Sequence, residues 1–208
     1  PPSQDQPASM TVPSAAASEH PRFLFDRNAA ARIRHLCGVG TAGDAAWGKF
    51  GSASRTYTAL RQHFIAITQA GTGSDGEMAA TLLPGELLAA AFLHRVDPTD
   101  AGGEQRLALV RAALRTPGPT VDALFETLIA LDWCWDSVGP ELGRDFLNAI
   151  RERSKPLQPG DSPLEHTPFQ DRMLALAAAA LFDETDCGEA WGESRKVILA
   201  AARTWYEQ

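Results

Sequence analysis

The hydrophobic residues of this chain recur mainly three or four positions apart, which is the spacing of one face of an α-helix. The alternation of apolar and polar residues that is typical of strands is nearly absent. A first helix is predicted after Asp26, a good N-cap residue, and a second over residues 45–69. Their predicted apolar faces contain Ala29, Ala30, Ile33, Leu36, Leu60, Phe64 and Ile67. The pattern therefore predicts an all-α fold.

Beyond residue 85, pairs of helices follow one another in a repeating pattern. The three pairs begin with ELLAAAFLHRV, VDALFETLIALDWCWD and DRMLALAAAALFDE, and each pair starts roughly 40 residues after the last. A turn and a second helix follow each time, and Pro140 is suited to the first position of the second helix in the middle pair. Repeated hairpins at this period indicate stacked helix pairs, as in open solenoids or closed α/α toroids.

The first helix of each pair is more apolar than the second. Helices that are apolar on all sides are buried, whereas amphipathic helices form an outer layer. This difference predicts two layers, with the first helices inside and the second helices outside. A ring of inner helices wrapped by outer ones fits the pattern, and an open solenoid that resembles HEAT repeats fits it nearly as well.

Composition and charge narrow the class of protein. The chain has 208 residues, of which 44% are hydrophobic and 22% are charged, as in an ordinary globular protein with a substantial core. Its net charge of −7 argues against nucleic acid as a partner, because phosphate binding needs a basic surface. The longest apolar run, residues 173–182, is much shorter than the roughly 20 residues of a spanning helix. We therefore predict no membrane span.

Residues 1–19 differ in composition from the rest of the chain. They are rich in Pro, Ser and Ala, and they lack the apolar region of a signal peptide. We interpret them as a flexible leader. This leader is either what remains after removal of a signal or a remnant of cloning, or it is an ordinary disordered N-terminus. Residues 20–208 then form the helical domain.

The side chains that could bind a metal or pair with each other are scattered along the chain. None of the three cysteines lies in a CxxC pair, and His63 and His94 have no second ligand one helical turn away. The sequence therefore indicates no metal and no cofactor. Cys134 lies within an apolar helical face and is predicted to be a core residue. In an oxidising compartment, a disulfide between Cys37 and Cys187 is an alternative to free thiols.

Three stretches of the chain resemble one family of enzymes. The segments HPRFLFDRNAAARIRHL (20–36), ALDWCWDSVGPELGRDFLNAI (130–150) and SPLEHTPFQDRMLALAAAALFDE (162–184) are similar, in this order, to segments of the heparinase II/III and alginate lyase-like polysaccharide lyases. The resemblance covers residues 19–208 and implies an incomplete (α/α) toroid of repeated antiparallel hairpins. It also implies the N-terminal part of a longer, periplasmic or secreted protein, whose catalytic tyrosine and C-terminal β-sandwich domain follow residue 208.

The resemblance further implies an activity on polysaccharides or oligosaccharides that contain uronic acid. These enzymes cleave by β-elimination, in which a base removes the proton beside the sugar carboxylate and an acid protonates the leaving oxygen. Hydrogen-bond donors must neutralise the carboxylate so that it can take up the developing charge. His166 matches the family's histidine, whereas Glu165 stands where the family has asparagine. A different substrate, an alignment shifted by one residue or a lost activity would each account for Glu165.

We predict His166 as the catalytic residue and Glu165, Gln170, Asp132 and Trp133 as substrate-binding residues. Each prediction has a structural alternative: His166 could order a proline-rich loop, and Trp133 lies at helical spacing with leucines, as a core residue would. Gln170 could belong to a helix cap. The chain alone is expected to be inactive, because the family's catalytic tyrosine lies beyond it. A carbohydrate-binding domain without activity and a helical-repeat interaction domain are the alternative functions.

Overall fold

The computed structural model describes residues 20–23, 27–37, 39, 51–70, 82–99, 102–153 and 169–206. In these parts of the chain all regular structure is α-helical, which confirms the all-α prediction. The helices are α1 (Arg27–Leu36), α2 (Gly51–Ala70), α3 (Glu86–Val96), α4 (Gly103–Arg115), α5 (Val121–Val138), α6 (Pro140–Arg153), α7 (Phe169–Leu181), α8 (Glu184–Cys187) and α9 (Glu189–Tyr206).

Local sequence signals explain where several helices begin. The Thr120 side chain accepts a hydrogen bond from the amide of Ala123 at 3.2 Å and so caps α5. Helix α6 begins at Pro140, as predicted, since a first-turn residue needs no amide donor. Gly139 joins α5 to α6 at a φ of 94°, which a residue with a side chain rarely adopts. Asp183 caps the short helix α8 through a capping box with Asp186.

The helices after residue 85 pack in two rows. In the first row, α5 packs against both α3 and α7, and in the second row α6 packs against both α4 and α9. Each first-row helix also packs against its own second-row partner, while α1 and α2 pack on α3. These are the three hairpins and two layers that the sequence pattern predicts. A closed toroid and an open solenoid share these rows, so the toroid itself stays a prediction.

Helix α5 lies at the centre of the core. Leu128, Ala130 and Leu131 on this helix are completely buried. They share one apolar cluster with residues of α3, α4, α6 and α7, among them Ala91, Val110, Leu147 and Ala178. Burial of one leucine side chain contributes about 1.5–3 kcal/mol, so this contact between the two rows is the main apolar stabilisation of the array.

The three cysteines are all free. Cys134 is buried in the main apolar cluster, which confirms its prediction as a core residue. Cys37 and Cys187 are not bonded to each other, so the disulfide that the sequence left open is not formed in this structure. Burial raises the pKa of the thiols of Cys134 and Cys187 to about 12 in each case. Neither thiol is therefore suited to act as a thiolate nucleophile near neutral pH.

Candidate functional site

Asp132 is a carboxylate in the middle of the core, with none of its surface exposed. Its Oδ1 lies 2.6 Å from Nδ1 of His20 and accepts a hydrogen bond from the amide of Arg22 at 3.0 Å. Its Oδ2 accepts from the amides of Arg22 and Phe23 at 3.1 and 2.9 Å. A buried carboxylate is tolerated when donors surround it, and here residues 20–23 supply all of these donors. We call residues 20–23 the clasp segment.

His20 is the most enclosed side chain of the clasp segment, with 1% of the side chain exposed. Its ring stacks on Phe182 with centroids 4.9 Å apart and lies against Trp135 at 5.1 Å. Its second nitrogen, Nε2, lies 3.3 Å from Oδ1 of Asp186, close enough for attraction, although the two atoms are not aligned as a hydrogen bond. Burial alone lowers the pKa of His20, but the carboxylates of Asp132 and Asp186 outweigh burial and raise it above the ordinary value.

Arg22 binds the clasp segment to the turn between α7 and α8, called the α7–α8 corner below. Its guanidinium donates to the backbone oxygen of Leu181 and lies 3.0 Å from carboxylate oxygens of both Asp183 and Asp186. Because these two aspartates also form the capping box of α8, the same carboxylates shape the corner and hold Arg22. Both terminal nitrogens of this planar guanidinium thus have acceptors, two carboxylates and one carbonyl.

Two further bonds connect the clasp segment to the first-row helices. Trp133 of α5 donates from its indole Nε1 to the backbone oxygen of Phe23 at 2.9 Å. Arg95 of α3 donates to the backbone oxygen of His20 at 3.3 Å. With the bonds to Asp132 and to the α7–α8 corner, the clasp segment is joined to all three hairpins. The cluster that it forms with Asp132, Trp133, Asp183 and Asp186 is called the clasp below.

The enclosure of the clasp limits the chemistry that it can perform. A general base must come within hydrogen-bond reach of the proton that it removes, and the side chains of His20 and Asp132 are 1% and 0% exposed. In this arrangement the two groups bind each other rather than a substrate. The proposal that Asp132 and Trp133 bind sugar stays a prediction, and the structure gives both side chains a partner in the clasp segment.

The remaining predicted site residues lie elsewhere. His166 and Glu165 fall outside the described residues. Gln170 is exposed in the first turn of α7. Arg22 binds the opposite end of this helix, at Leu181, and the rise of an α-helix places the two ends about 16 Å apart. The structure therefore brings Asp132 and Trp133 together at the clasp and leaves Gln170 apart from them.

Two surface cavities lie away from the clasp. One, of about 430 Å³, is apolar and is lined by Ile33, Leu36, Cys37, Thr56, Tyr57, Leu60 and Phe92. The other, of about 420 Å³, is lined by Arg111, Arg115, Val138, Gly139, Pro140, Glu141 and Leu142. Of the predicted site residues that the structure describes, Asp132, Trp133 and Gln170, none lines either cavity. Within the described ranges, no group of three or more His, Cys, Asp or Glu side chains is arranged to hold a metal ion. None of the described helices is both long and apolar enough to cross a membrane.

Sequence reasoning missed four members of the clasp. His20 was interpreted as a packing or capping residue of the opening segment, and Arg22, Asp183 and Asp186 were not among the predicted site residues. Two signals pointed to them. Asp132 is the one acidic residue within the apolar run LIALDWCW (128–135), and a buried acid needs a partner. The segment DETD at 183–186 has acidic residues at the first and fourth positions, which is the spacing of a capping box.

Comparisons of the chain with protein-family models, with curated proteins and with solved structures give no match.

Proposed function

We propose that the chain is the N-terminal helical part of a polysaccharide lyase-like protein that cleaves glycans containing uronic acid by β-elimination. The proposal includes an incomplete (α/α) toroid, a periplasmic or secreted location and a second, β-sandwich domain that follows residue 208. The chain by itself is then inactive. The heparinase II/III-like resemblance of three segments motivates it, and one structural observation supports it.

The supporting observation is that the three resembling segments meet at the clasp. His20 and Arg22 come from the first segment, Asp132 from the second, and Leu181 and Asp183 from the third. His20 and Asp132 are 112 positions apart along the chain, and Arg22 and Leu181 are 159 positions apart. Alanine- and leucine-rich helices match many proteins by chance, but chance matches have no reason to converge on one buried cluster. The convergence favours a resemblance that reflects a shared fold.

In this proposal the reaction centre lies near the start of α7 rather than at the clasp. His166 acts on the substrate, Glu165 and Gln170 contribute to its binding, and hydrogen-bond donors neutralise the sugar carboxylate before the proton is removed. An ionised Glu165 repels a uronate, so the substrate is bound well only if Glu165 is protonated or faces away. The clasp contributes by fixing the C-terminal end of α7.

The experiment compares this chain with a longer protein that includes the sequence after residue 208. Both are incubated with a panel of acidic polysaccharides, and the unsaturated uronate product is followed by its ultraviolet absorbance. We expect product from the longer protein and none from this chain. His166→Ala in the longer protein should abolish turnover, whereas His63→Ala, a change of an exposed histidine on α2, should leave it intact. Absence of product on every polysaccharide, from a folded longer protein, contradicts the proposal.

A helical-repeat interaction domain is the second candidate. The two rows of hairpins favour it, because repeat scaffolds are built from the same units. Binding of an oligosaccharide to this chain, measured by calorimetry and weakened by Gln170→Ala but not by Gln62→Ala, would favour the carbohydrate function over the scaffold. The matched control is an exposed glutamine on α2.

A further inference from the structure

His20 lies between two carboxylates, and its two nitrogens face one carboxylate each. Nδ1 lies 2.6 Å from Asp132 and Nε2 lies 3.3 Å from Asp186. An imidazole carries protons on both nitrogens only when it is positively charged. The neutral ring keeps one proton, which the short hydrogen bond from Nδ1 to Asp132 retains, so Nε2 then turns a lone pair toward Asp186. Loss of one proton therefore changes an attraction on one side of the ring into a repulsion.

The position of His20 in the fold connects this change to the whole array. The clasp segment is bound to α3 through Arg95, to α5 through Asp132 and Trp133, and to the α7–α8 corner through Arg22. We propose that the clasp is a proton-controlled device: it is closed while His20 carries both protons, and it loosens from Asp186 when His20 becomes neutral. This inference is independent of the proposed lyase function.

Among the described residues, two carboxylates face the His20 ring directly: Asp132 on α5 and Asp186 on α8. The other charged groups nearby bind these or neighbouring groups rather than the ring. Arg22 pairs with Asp183 and Asp186, Arg95 of α3 pairs with Asp136, and Arg144 donates to the backbone oxygen of Asp186. A protonated His20 therefore places one positive charge between two carboxylates.

The direction of the pH effect follows from the raised pKa of His20. A group whose pKa is higher in the closed state stabilises that state when it is protonated. The stabilisation is fully present below the ordinary histidine value of about 6.5 and is lost as the pH rises through the higher value of the closed state. The clasp is thus closed in mildly acidic solution and loosens toward alkaline pH. The hairpins keep the contacts of their own apolar cluster, so the clasp segment opens without unfolding them.

Two measurements on the whole chain test the proposal between about pH 5.5 and about pH 8.5, where histidines change charge. Nuclear magnetic resonance of labelled histidines gives the pKa of His20 directly. The rate of trypsin cleavage after Arg22 reports opening of the clasp segment. This rate is divided by the rate for a free peptide of the same sequence, so that the pH dependence of trypsin cancels. The opening constant should rise about tenfold for each unit by which the pKa of His20 in the closed state exceeds the open value. The resonance measurement therefore fixes the expected rise in cleavage.

Variants distinguish the effect of His20 titration on cleavage from the effects of other titrating groups. His20→Gln should make the normalised cleavage independent of pH, whereas His63→Gln, a change of an exposed histidine that pairs with Glu86, should keep the wild-type dependence. If His20→Gln does not fold, Asp186→Asn takes its place and should reduce both the pKa of His20 and the rise in cleavage. A His20 that titrates at or below about 6.5, or a wild-type cleavage that does not change with pH, overturns the proposal.

Discussion

The least expected feature at the scale of single residues is that an aspartate, Asp132, is completely buried. The structure explains it through the donors of the clasp segment: one imidazole nitrogen and two backbone amides. Amides of residues 22 and 23 need acceptors away from water, and a carboxylate offers more acceptor sites than any neutral side chain. Trp133, the next residue, completes the arrangement by donating to the backbone oxygen of Phe23. Asp132 thus binds amide donors of the clasp segment, and Trp133, its neighbour on α5, binds a carbonyl acceptor of the same segment.

Substitution of Trp133 by phenylalanine tests this arrangement. The change removes the bond to the Phe23 oxygen and part of a buried ring, so the free energy of unfolding should fall by about 1–3 kcal/mol. Amide hydrogen exchange at Phe23 should become faster than the loss of global stability alone explains. Denaturant unfolding and exchange measured by nuclear magnetic resonance provide both values.

The matched control for this prediction is Trp191→Phe. Trp191 is also a buried tryptophan whose Nε1 donates to a backbone oxygen, that of Phe182, at 3.0 Å. Its replacement should lower the free energy of unfolding by a similar amount but leave exchange at Phe23 as expected from global stability. Equal effects of both variants on Phe23 would mean that the Trp133 bond does not specifically hold the clasp segment.

At the scale of helices, the contact between α5 and α6 depends on a missing side chain. A Cβ added at Gly143 of α6 would lie 2.4 Å from Cζ3 of Trp135 on α5, which is far inside a normal contact. Trp135 in turn packs against His20 and Phe182, so its ring has rigid neighbours. The close packing of α6 against α5 at Gly143 therefore fixes the position of Trp135, whose ring packs against His20.

Gly143→Ala should destabilise the protein. Alanine in a helix is favoured over glycine by roughly 0.5–1 kcal/mol, but forcing a methyl group against a packed ring costs about 1–3 kcal/mol. We expect a net loss of about 1 kcal/mol in the free energy of unfolding, measured by chemical denaturation.

Gly192→Ala serves as the comparison because its overlap is smaller and its neighbour, Glu184, is exposed. A Cβ at Gly192 of α9 would lie 2.9 Å from Cβ, Cγ and Oε2 of Glu184; Cγ and Oε2 can turn away, whereas Cβ is fixed by the backbone. This variant should therefore lose less stability than Gly143→Ala. A loss of stability at Gly192 as large as that at Gly143 would contradict the explanation from the rigid Trp135 ring.

At the scale of the whole molecule, the sequence predicted the features that depend on residues close together along the chain. Hydrophobic spacing identified the hairpins and the difference between the rows, and Pro140 marked the start of α6. The clasp could not be predicted in the same way, because His20 and Asp132 are 112 positions apart and helical periodicity carries no information at that distance. The buried acid on α5 indicated that a partner exists, but only the packing of three hairpins places His20 beside it.

The central claim is that the clasp segment and the hairpins form one unit through the His20–Asp132 pair. A double-mutant cycle tests it most directly: the free energy of unfolding is measured at about pH 6, near the histidine midpoint, for the wild type, His20→Gln, Asp132→Asn and the double variant. Leaving one buried partner without the other costs about 3–5 kcal/mol, so we expect two large single effects that do not add. We predict a coupling energy above about 1 kcal/mol. Single effects that add within about 0.5 kcal/mol would contradict it.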